Sequence, residues 1–376
     1  MVVGVTSAQT CLVLRGRLRA LREAGFDVTL ISSPGWLLER TAVEEGVSSQ
    51  AISMERGFAP FADMAAFLRI LWFLLRHRPK LVDFSTPKVG LLGCTAAWLL
   101  RIPHRVYTLR GLKLETSRGW KRHTLLLSER IAAGCADVVL CNSRSLLEEA
   151  AAMGIAREKK FFLLGEGSSN GVDTERFHPG RTALREMMDI PAEDAVIGFV
   201  GRLTRDKGVP ELLMAFDAIL DVHPQCWLLL VGWFDASDDE LDGHWKAHIA
   251  DHPRIRHTGF VANVEEYYRA MDFFVLPTHR EGFPNAVLEA AASGLAAITT
   301  ESTGARDAVL PEITGFVVPP ENPAAITEAA LLLLKDEPRR RKMGEAARAW
   351  AVERFSQKAV LGLAVEFYRK LIEREK

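Results

Sequence analysis

Two glutamates eight residues apart, Glu281 and Glu289, and two cations five residues apart, Arg202 and Lys207, are the residues whose types and spacing permit chemistry in this chain. The glutamates frame the segment EGFPNAVLEAAASG, which follows an apolar run ending at Pro277. Pro284 suits the first turn of a helix and Gly294 its C-terminal cap, so a helix is expected over about 285–293. Glu281 then stands in the loop at a strand's end while Glu289 projects from the helix interior, which would put two carboxylates on one side of a cleft at different depths. Gly282, Phe283, Pro284 and Asn285 fall at the helix N-terminus, where backbone N–H groups can hold an anion. Arg202 and Lys207 belong to GRLTRDKG, directly after the apolar run VIGFV. Glycine there admits close backbone approach, and two cations at the carboxyl end of a strand suit a diphosphate. Each element alone has a plainer reading, a solvated helix face for the glutamates and a surface loop for the cations.

The elements that must position these residues are legible as alternation. Short apolar runs at 2–6, 28–32, 80–84, 105–109 and 137–141 are separated mostly by helical patterns. A second series follows at 196–200, 227–232, 255–260, 272–277, 296–300 and 315–318, with helical segments such as 210–223 and 263–271 between them. Such alternation implies parallel sheets with helices on both faces, an α/β architecture of two Rossmann-like, doubly wound domains. The turn-rich GEGSSNGVDTERFHPG over 165–180 is the natural linker. The expected domains are therefore 1–172 and 173–356, with a final helix over about 357–376 packing back on the first. Open α/β sheets bind ligands at the carboxyl ends of their strands, so the site is expected in a cleft between the domains.

Composition narrows the partners. The net charge of −1 hides an asymmetry: residues 1–175 carry 23 Lys+Arg against 17 Asp+Glu, and the remainder 24 against 31. The basic front half fits phosphates or an anionic membrane surface, or simply uneven solvation; no nucleic-acid-binding motif accompanies it. Segment 62–77 (ADMAAFLRILWFLLRH) is apolar, too short and interrupted to span a bilayer, and followed by Arg78 and Lys80. It reads as a crossover helix on a sheet or as a helix lying in a membrane interface. The five cysteines have no metal-site spacing and read as reduced, buried thiols of a cytoplasmic protein. No signal peptide is expected. Asp238 and Asp239 are adjacent but read as a helix start rather than a metal-binding pair.

Taken together, EGFPN with its small-residue helix, GRLTRDKG about eighty residues earlier, and the linker NGVD resemble glycosyltransferase family 4. The resemblance runs over essentially the whole chain, more loosely in front, where 15–35, 86–93 and 107–116 look like the bacterial enzymes that build capsules and O-antigens. It implies a GT-B fold and a retaining hexosyl transfer from a nucleotide-sugar donor, a UDP-sugar foremost, to a lipid-linked saccharide acceptor. It further implies work at the inner face of the cell membrane, with an anionic membrane surface as partner and neither metal nor other cofactor. In the family, the matching Arg202 and Lys207 bind the donor diphosphate, Glu289 the ribose hydroxyls and Glu281 the donor sugar; a covalent role for Glu281 stays open. Two departures affect the acceptor side: the usual histidines before Thr86 are replaced at Asp83 and Ser85, and Arg110 with Gly111 stands where many members have a histidine. Lys88, Arg110 and Lys113 are candidates for an acceptor phosphate. The alternatives are a nucleotide-sugar 2-epimerase of the same architecture and a non-catalytic partner of a transferase.

Overall fold

The aliphatic runs pair in two wholly parallel sheets. Strands apolar on both faces are stable only where helices cover both sides. The computed structural model describes every residue except 56, 58, 237, 238 and 374–376. The chain divides into two units, Met1–Gly171 with Gln357–Lys376, and Val172–Ser356.

In the first unit the strands are β1 (Val2–Gly4), β2 (Thr29–Ser32), β3 (Ser48–Ala51), β4 (Leu81–Ser85), β5 (His104–Leu109), β6 (Val138–Cys141) and β7 (Phe161–Leu163). Their order is β3-β2-β1-β4-β5-β6-β7. Side chains alternate across the sheet: Leu81, Val106 and Leu140 enter one apolar layer, and Val82, Tyr107 and Val139 the other. The first layer is closed by helices Arg17–Glu23 and Gln357–Glu373, the second by Pro60–His77, Pro87–Leu99 and Gly119–Cys135. Helix Gln357–Glu373 is fastened by a buried polar contact as well as by packing. The Tyr368 hydroxyl donates to Asp83 Oδ2 on β4 at 2.6 Å, and Thr108 donates to Oδ1 at 2.6 Å.

Helix Pro60–His77 buries Ala66, Ile70, Phe73 and Leu74 and leaves a second apolar stripe outside. Phe61, Met64, Leu68, Trp72 and Leu75, spaced three or four apart on one face, are at least half exposed. No described helix is long and apolar enough to cross a membrane.

The second unit repeats the plan with β8 (Ala195–Val200), β9 (Cys226–Val231), β10 (Ile255–His257), β11 (Phe273–Leu276), β12 (Ala297–Thr300) and β13 (Gly315–Val318), in the order β10-β9-β8-β11-β12-β13. All six residues of β9 are buried. In both units the order reverses beside the first strand, between β1 and β4 and between β8 and β11. Those switch points are where doubly wound sheets bind ligands.

Three details differ from the sequence expectations. Edge strands β3 and β7 were not expected; β3 (SSQA) is fully exposed and has no apolar residue larger than Ala51, so its ladder with β2 makes it a strand. The run at 255–260 stops as a strand at His257, and Gly259 turns at φ +67°. Asp239 lies in a turn and the following helix starts at Gly243, so no helix starts at Asp239; Asp238 lies outside the described residues.

Tyr368→Phe removes a donor from a buried carboxylate, which costs about 1–3 kcal/mol. Thermal unfolding should then show a Tm about 2–4 °C lower per kcal/mol for a unit of this size; an unchanged Tm would mean that packing alone holds the helix.

Candidate active site

The loops leaving β8 and β11 meet at the switch point of the second sheet. After β8 the chain runs through Gly201 and Arg202, buries Leu203 and Thr204, and makes one 3-10 turn over Arg205–Lys207. Gly208 at φ +71° then starts helix Val209–Val222. A Cβ on Gly208 would strike the Pro277 carbonyl just past β11, so only glycine lets the two loops come this close.

Asp206 joins them. Its side chain is buried and accepts from Thr204 Oγ1 at 2.6 Å and Arg280 Nη2 at 2.8 Å. Its carbonyl accepts from His279 N at 2.9 Å and Thr278 Oγ1 at 3.0 Å. Burial raises the Asp206 pKa, but Lys207, the Thr204 hydroxyl, Arg280 and Arg202 outweigh it and leave the carboxyl below its ordinary value. It stays ionised.

Arg202 donates from Nη1 to Asp235 Oδ2 at 2.6 Å, with Asp206 Oδ2 at 3.7 Å from its Nη2. Lys207 Nζ is ion-paired with Glu281 Oε1, and both side chains are mostly buried. The expected diphosphate cations and the first glutamate therefore sit in one cluster. Glu281 N donates to Thr303 O at 3.0 Å. Gly304, at φ +74°, lies so close to the Glu281 and Gly282 carbonyls that a Cβ would be 2.6 Å from each oxygen.

Beyond Glu281, Gly282, Phe283 and Pro284 are buried, and the Phe283 ring packs 5.3 Å from that of Phe355. The helix runs Asn285–Ala292, with Pro284 as its N-cap rather than in its first turn as expected. Proline has no side-chain acceptor, so no side chain caps the leading N–H groups. Asn285 Oδ1 is buried and accepts from no donor among the described residues. Gly294 falls one residue past the cap at φ +81°, the expected left-handed terminus.

Glu289 is held apart from this ion-paired cluster. Its Oε2 accepts from the Tyr268 hydroxyl at 2.9 Å. Burial pushes its carboxyl up to about 7, against the Tyr268 hydrogen bond and the Arg176 charge.

Sequence reasoning missed Asp206, Asp235, Tyr268 and Arg280. Asp206 had a signal, being an acid inside a basic loop after an apolar strand. Asp235 and Tyr268 come from distant segments and had none. Trp233 and Phe260, after β9 and β10, were missed too: they form an exposed pair of rings 5.7 Å apart. A three-residue group, Asp217, His248 and His252, brings possible metal-binding atoms within 4.8 Å of one another in the same unit. His252 Nδ1 accepts from Arg254 N at 3.2 Å, which leaves its Nε2 facing Asp217 Oδ1 at 3.8 Å.

In the first unit, Lys88 is tied to Asp63 at 2.5 Å and to the Gly57 carbonyl, and Lys113 lies in the short 3-10 turn Lys113–Glu115. Asp83 and Ser85 are buried on β4, and Arg110 donates to Ser169 Oγ at 2.9 Å. In the linker, Asn170 is buried and bonded to the Val13 carbonyl, and Gly171 turns at φ +69°.

Residues 180–350 match the model described as glycosyl transferases group 1, and residues 13–163 match the glycosyl transferase 4-like domain. The capsular polysaccharide biosynthesis glycosyltransferase CapM of Staphylococcus aureus is 34% identical over 357 residues, covering 95% of this chain and 93% of CapM. A UDP-Gal:alpha-D-GlcNAc-diphosphoundecaprenol alpha-1,3-galactosyltransferase of Escherichia coli is 26% identical over 272 residues, 70% of this chain and 68% of its own. Among solved structures, Anabaena HepE in complex with UDP and glucose matches with a TM-score of 0.80 at 18% identity, over 98% of this chain and 99% of HepE, a likeness of fold. With that fold, both family matches and a relative alike from end to end, the chain belongs to glycosyltransferase family 4, the group 1 glycosyltransferases of GT-B architecture.

Proposed function

We propose that this glycosyltransferase moves a sugar, with retention, from a nucleotide diphosphate donor, a UDP-sugar foremost, to a lipid-linked saccharide during synthesis of a capsule-type polysaccharide. The observation that carries the reading is the cluster of Arg202, Lys207 and Glu281 at the β8/β11 switch point. CapM and the galactosyltransferase named above supply the acceptor class by likeness.

When the donor's C–O bond breaks, negative charge grows on the β-phosphate while the sugar becomes oxocarbenium-like. Fixed cations and helix N–H groups aimed at that oxygen stabilise the transition state. Arg202, Lys207 and the uncapped N-terminus after Pro284 are the groups for this work, and Lys207 exchanges its Glu281 partner for phosphate oxygen. Glu281, released, accepts from the donor sugar's hydroxyls. Glu289 accepts from the ribose hydroxyls, and the exposed rings of Trp233 and Phe260, set edge to face, offer an apolar surface for the base. These cations supply the charge that a divalent ion otherwise would. In this reading the second unit binds donor and the first binds acceptor.

The exposed stripe Phe61, Met64, Leu68, Trp72 and Leu75, with Arg69, Arg76, Arg78 and Lys80 around it, supports work on the inner face of an anionic membrane. Binding to anionic liposomes should be salt-sensitive, and Trp72→Glu should weaken it by about tenfold or more in co-sedimentation. Equal binding to neutral and anionic vesicles would remove the electrostatic part.

Transfer should survive EDTA. Loss of turnover on chelation, restored by magnesium or manganese, would overturn the charge assignment of Arg202 and Lys207.

The two glutamates should separate kinetically. Glu281→Ala should lower kcat by about 10² to 10³, as losing a preorganised stabiliser does. Glu289→Ala should chiefly raise the donor KM, because ribose contacts are equal in ground and transition states. Since Glu289 must be ionised to accept two hydroxyls, donor affinity should rise as pH increases through about 7, and Glu289→Gln should flatten that dependence. Calorimetry with a UDP-sugar from pH 6 to 8 checks it. A slope that persists in Glu289→Gln would assign the titration elsewhere.

A further inference from the structure

Arg17, the first residue of helix Arg17–Glu23, is 2% exposed, and its Nε, Nη1 and Nη2 have no acceptor among the described residues. Its Cζ lies 5.8 Å from the centre of the Tyr368 ring. Arg110, leaving the carboxyl end of β5, gives Nη1 to Ser169 and keeps Nε and Nη2 buried without an acceptor. The two guanidinium groups feel one another: burial and then the Arg17 charge pull Arg110 down to about 10, opposed by Asp83 and Tyr368.

The acceptors nearby are already engaged. Asp83 takes the Thr108 hydroxyl on one oxygen and the Tyr368 hydroxyl on the other. Ser169 Oγ takes Asn142 Nδ2 at 2.8 Å besides Arg110. Buried Arg17 and half-buried Arg110 thus have no hydrogen-bonded carboxylate among the described residues, and five of their six guanidinium nitrogens have no acceptor there. Buried charge without a partner is costly, and such groups persist where a ligand completes them. The place is also right: Arg17 opens the helix after β1 and Arg110 ends β5, on either side of the β1/β4 switch point, where Thr6 and Thr86 hydroxyls meet at 2.6 Å.

We propose that Arg17 and Arg110 form a binding site for a phosphate oxyanion in the first unit. Paired guanidinium forks match the oxygens of phosphate, each giving parallel N–H bonds. Arg110 is the door: it is partly exposed, and its single hydrogen bond to Ser169 is what its rotation must break. The proposal deepens the transferase reading, because both substrates named there carry a diphosphate, the donor on its nucleoside and the acceptor on its lipid.

The test is calorimetry on the full chain with two probes, UDP and farnesyl diphosphate, against wild type, Arg110→Gln, Arg110→Lys, Arg202→Gln and, as a surface control, Arg157→Gln. Arg110→Gln should weaken one probe by about tenfold or more, with Arg157→Gln unchanged. Loss for farnesyl diphosphate alone assigns the site to the acceptor's phosphate; loss for UDP assigns it to the donor's. Should Arg110→Gln fail to fold, Arg110→Lys carries the comparison, with a several-fold loss expected because a point charge cannot replace the fork. Wild-type affinity for both probes in a folded Arg110 variant, or no binding of either by wild type, overturns the site. Loss of UDP in Arg202→Gln while the Arg110 variants bind normally would leave the transferase reading standing without it. A wild type that binds farnesyl diphosphate but not UDP would count against the UDP-donor reading and leave the site to be judged on the Arg110 variants.

Discussion

The second unit's site depends on Asp206. A carboxylate with so little exposure is costly unless charged donors surround it, and here Arg280, Arg202 and Lys207 do so while Thr204 supplies a hydroxyl. Its peptide carbonyl meanwhile anchors Thr278 and His279. One residue therefore fixes the loop after β8 to the loop after β11 through both backbone and side chain. Take away its charge and the two arginines lose their common partner; the close approach at Gly208 would then rest on backbone shape alone.

That arrangement explains why the cations are paired with acids. Arg202 leans on Asp235 and Lys207 on Glu281, so each is held in place at little electrostatic cost before any substrate arrives. In the proposed transferase reading, an incoming diphosphate would compete for donors already positioned, and the reorganisation needed at the moment of reaction would be small. The Lys207–Glu281 pair would be replaced by a contact of the same kind, cation to phosphate oxygen, so the proposed exchange need not cost much overall. It would also free the Glu281 carboxylate when a sugar is there to use it.

Much of this was legible in residue types. The apolar alternation announced both sheets, and the spacing of Arg202, Lys207 and Glu281 pointed to residues that meet in one cluster at the β8/β11 switch point, because strand ends and helix starts are local events with local signals. What stayed hidden was tertiary. Strand β3 is polar and exists through its ladder with β2; Pro284 caps the helix rather than entering it; Asp235 and Tyr268 reach their partners from segments 33 and 21 residues away. A buried ion pair between distant segments leaves no periodicity to find.

The same blindness applied to Arg17, which reads in the sequence as one more arginine on a basic amphipathic helix, RLRALRE. Only burial distinguishes it from Arg19, whose guanidinium reaches the Glu44 carbonyl at the surface. The two sheets solve the same problem in opposite ways. In the second, each cation at the switch point has a carboxylate, and the site is held ready by ion pairs that a ligand must displace. In the first, only Arg110 Nη1 of the two guanidinium groups has an acceptor among the described residues, so in the proposed site the same class of ligand would arrive at donors that are mostly unused. Displacement favours discrimination, since a weak anion cannot break the existing pairs, whereas an unpaired site favours capture.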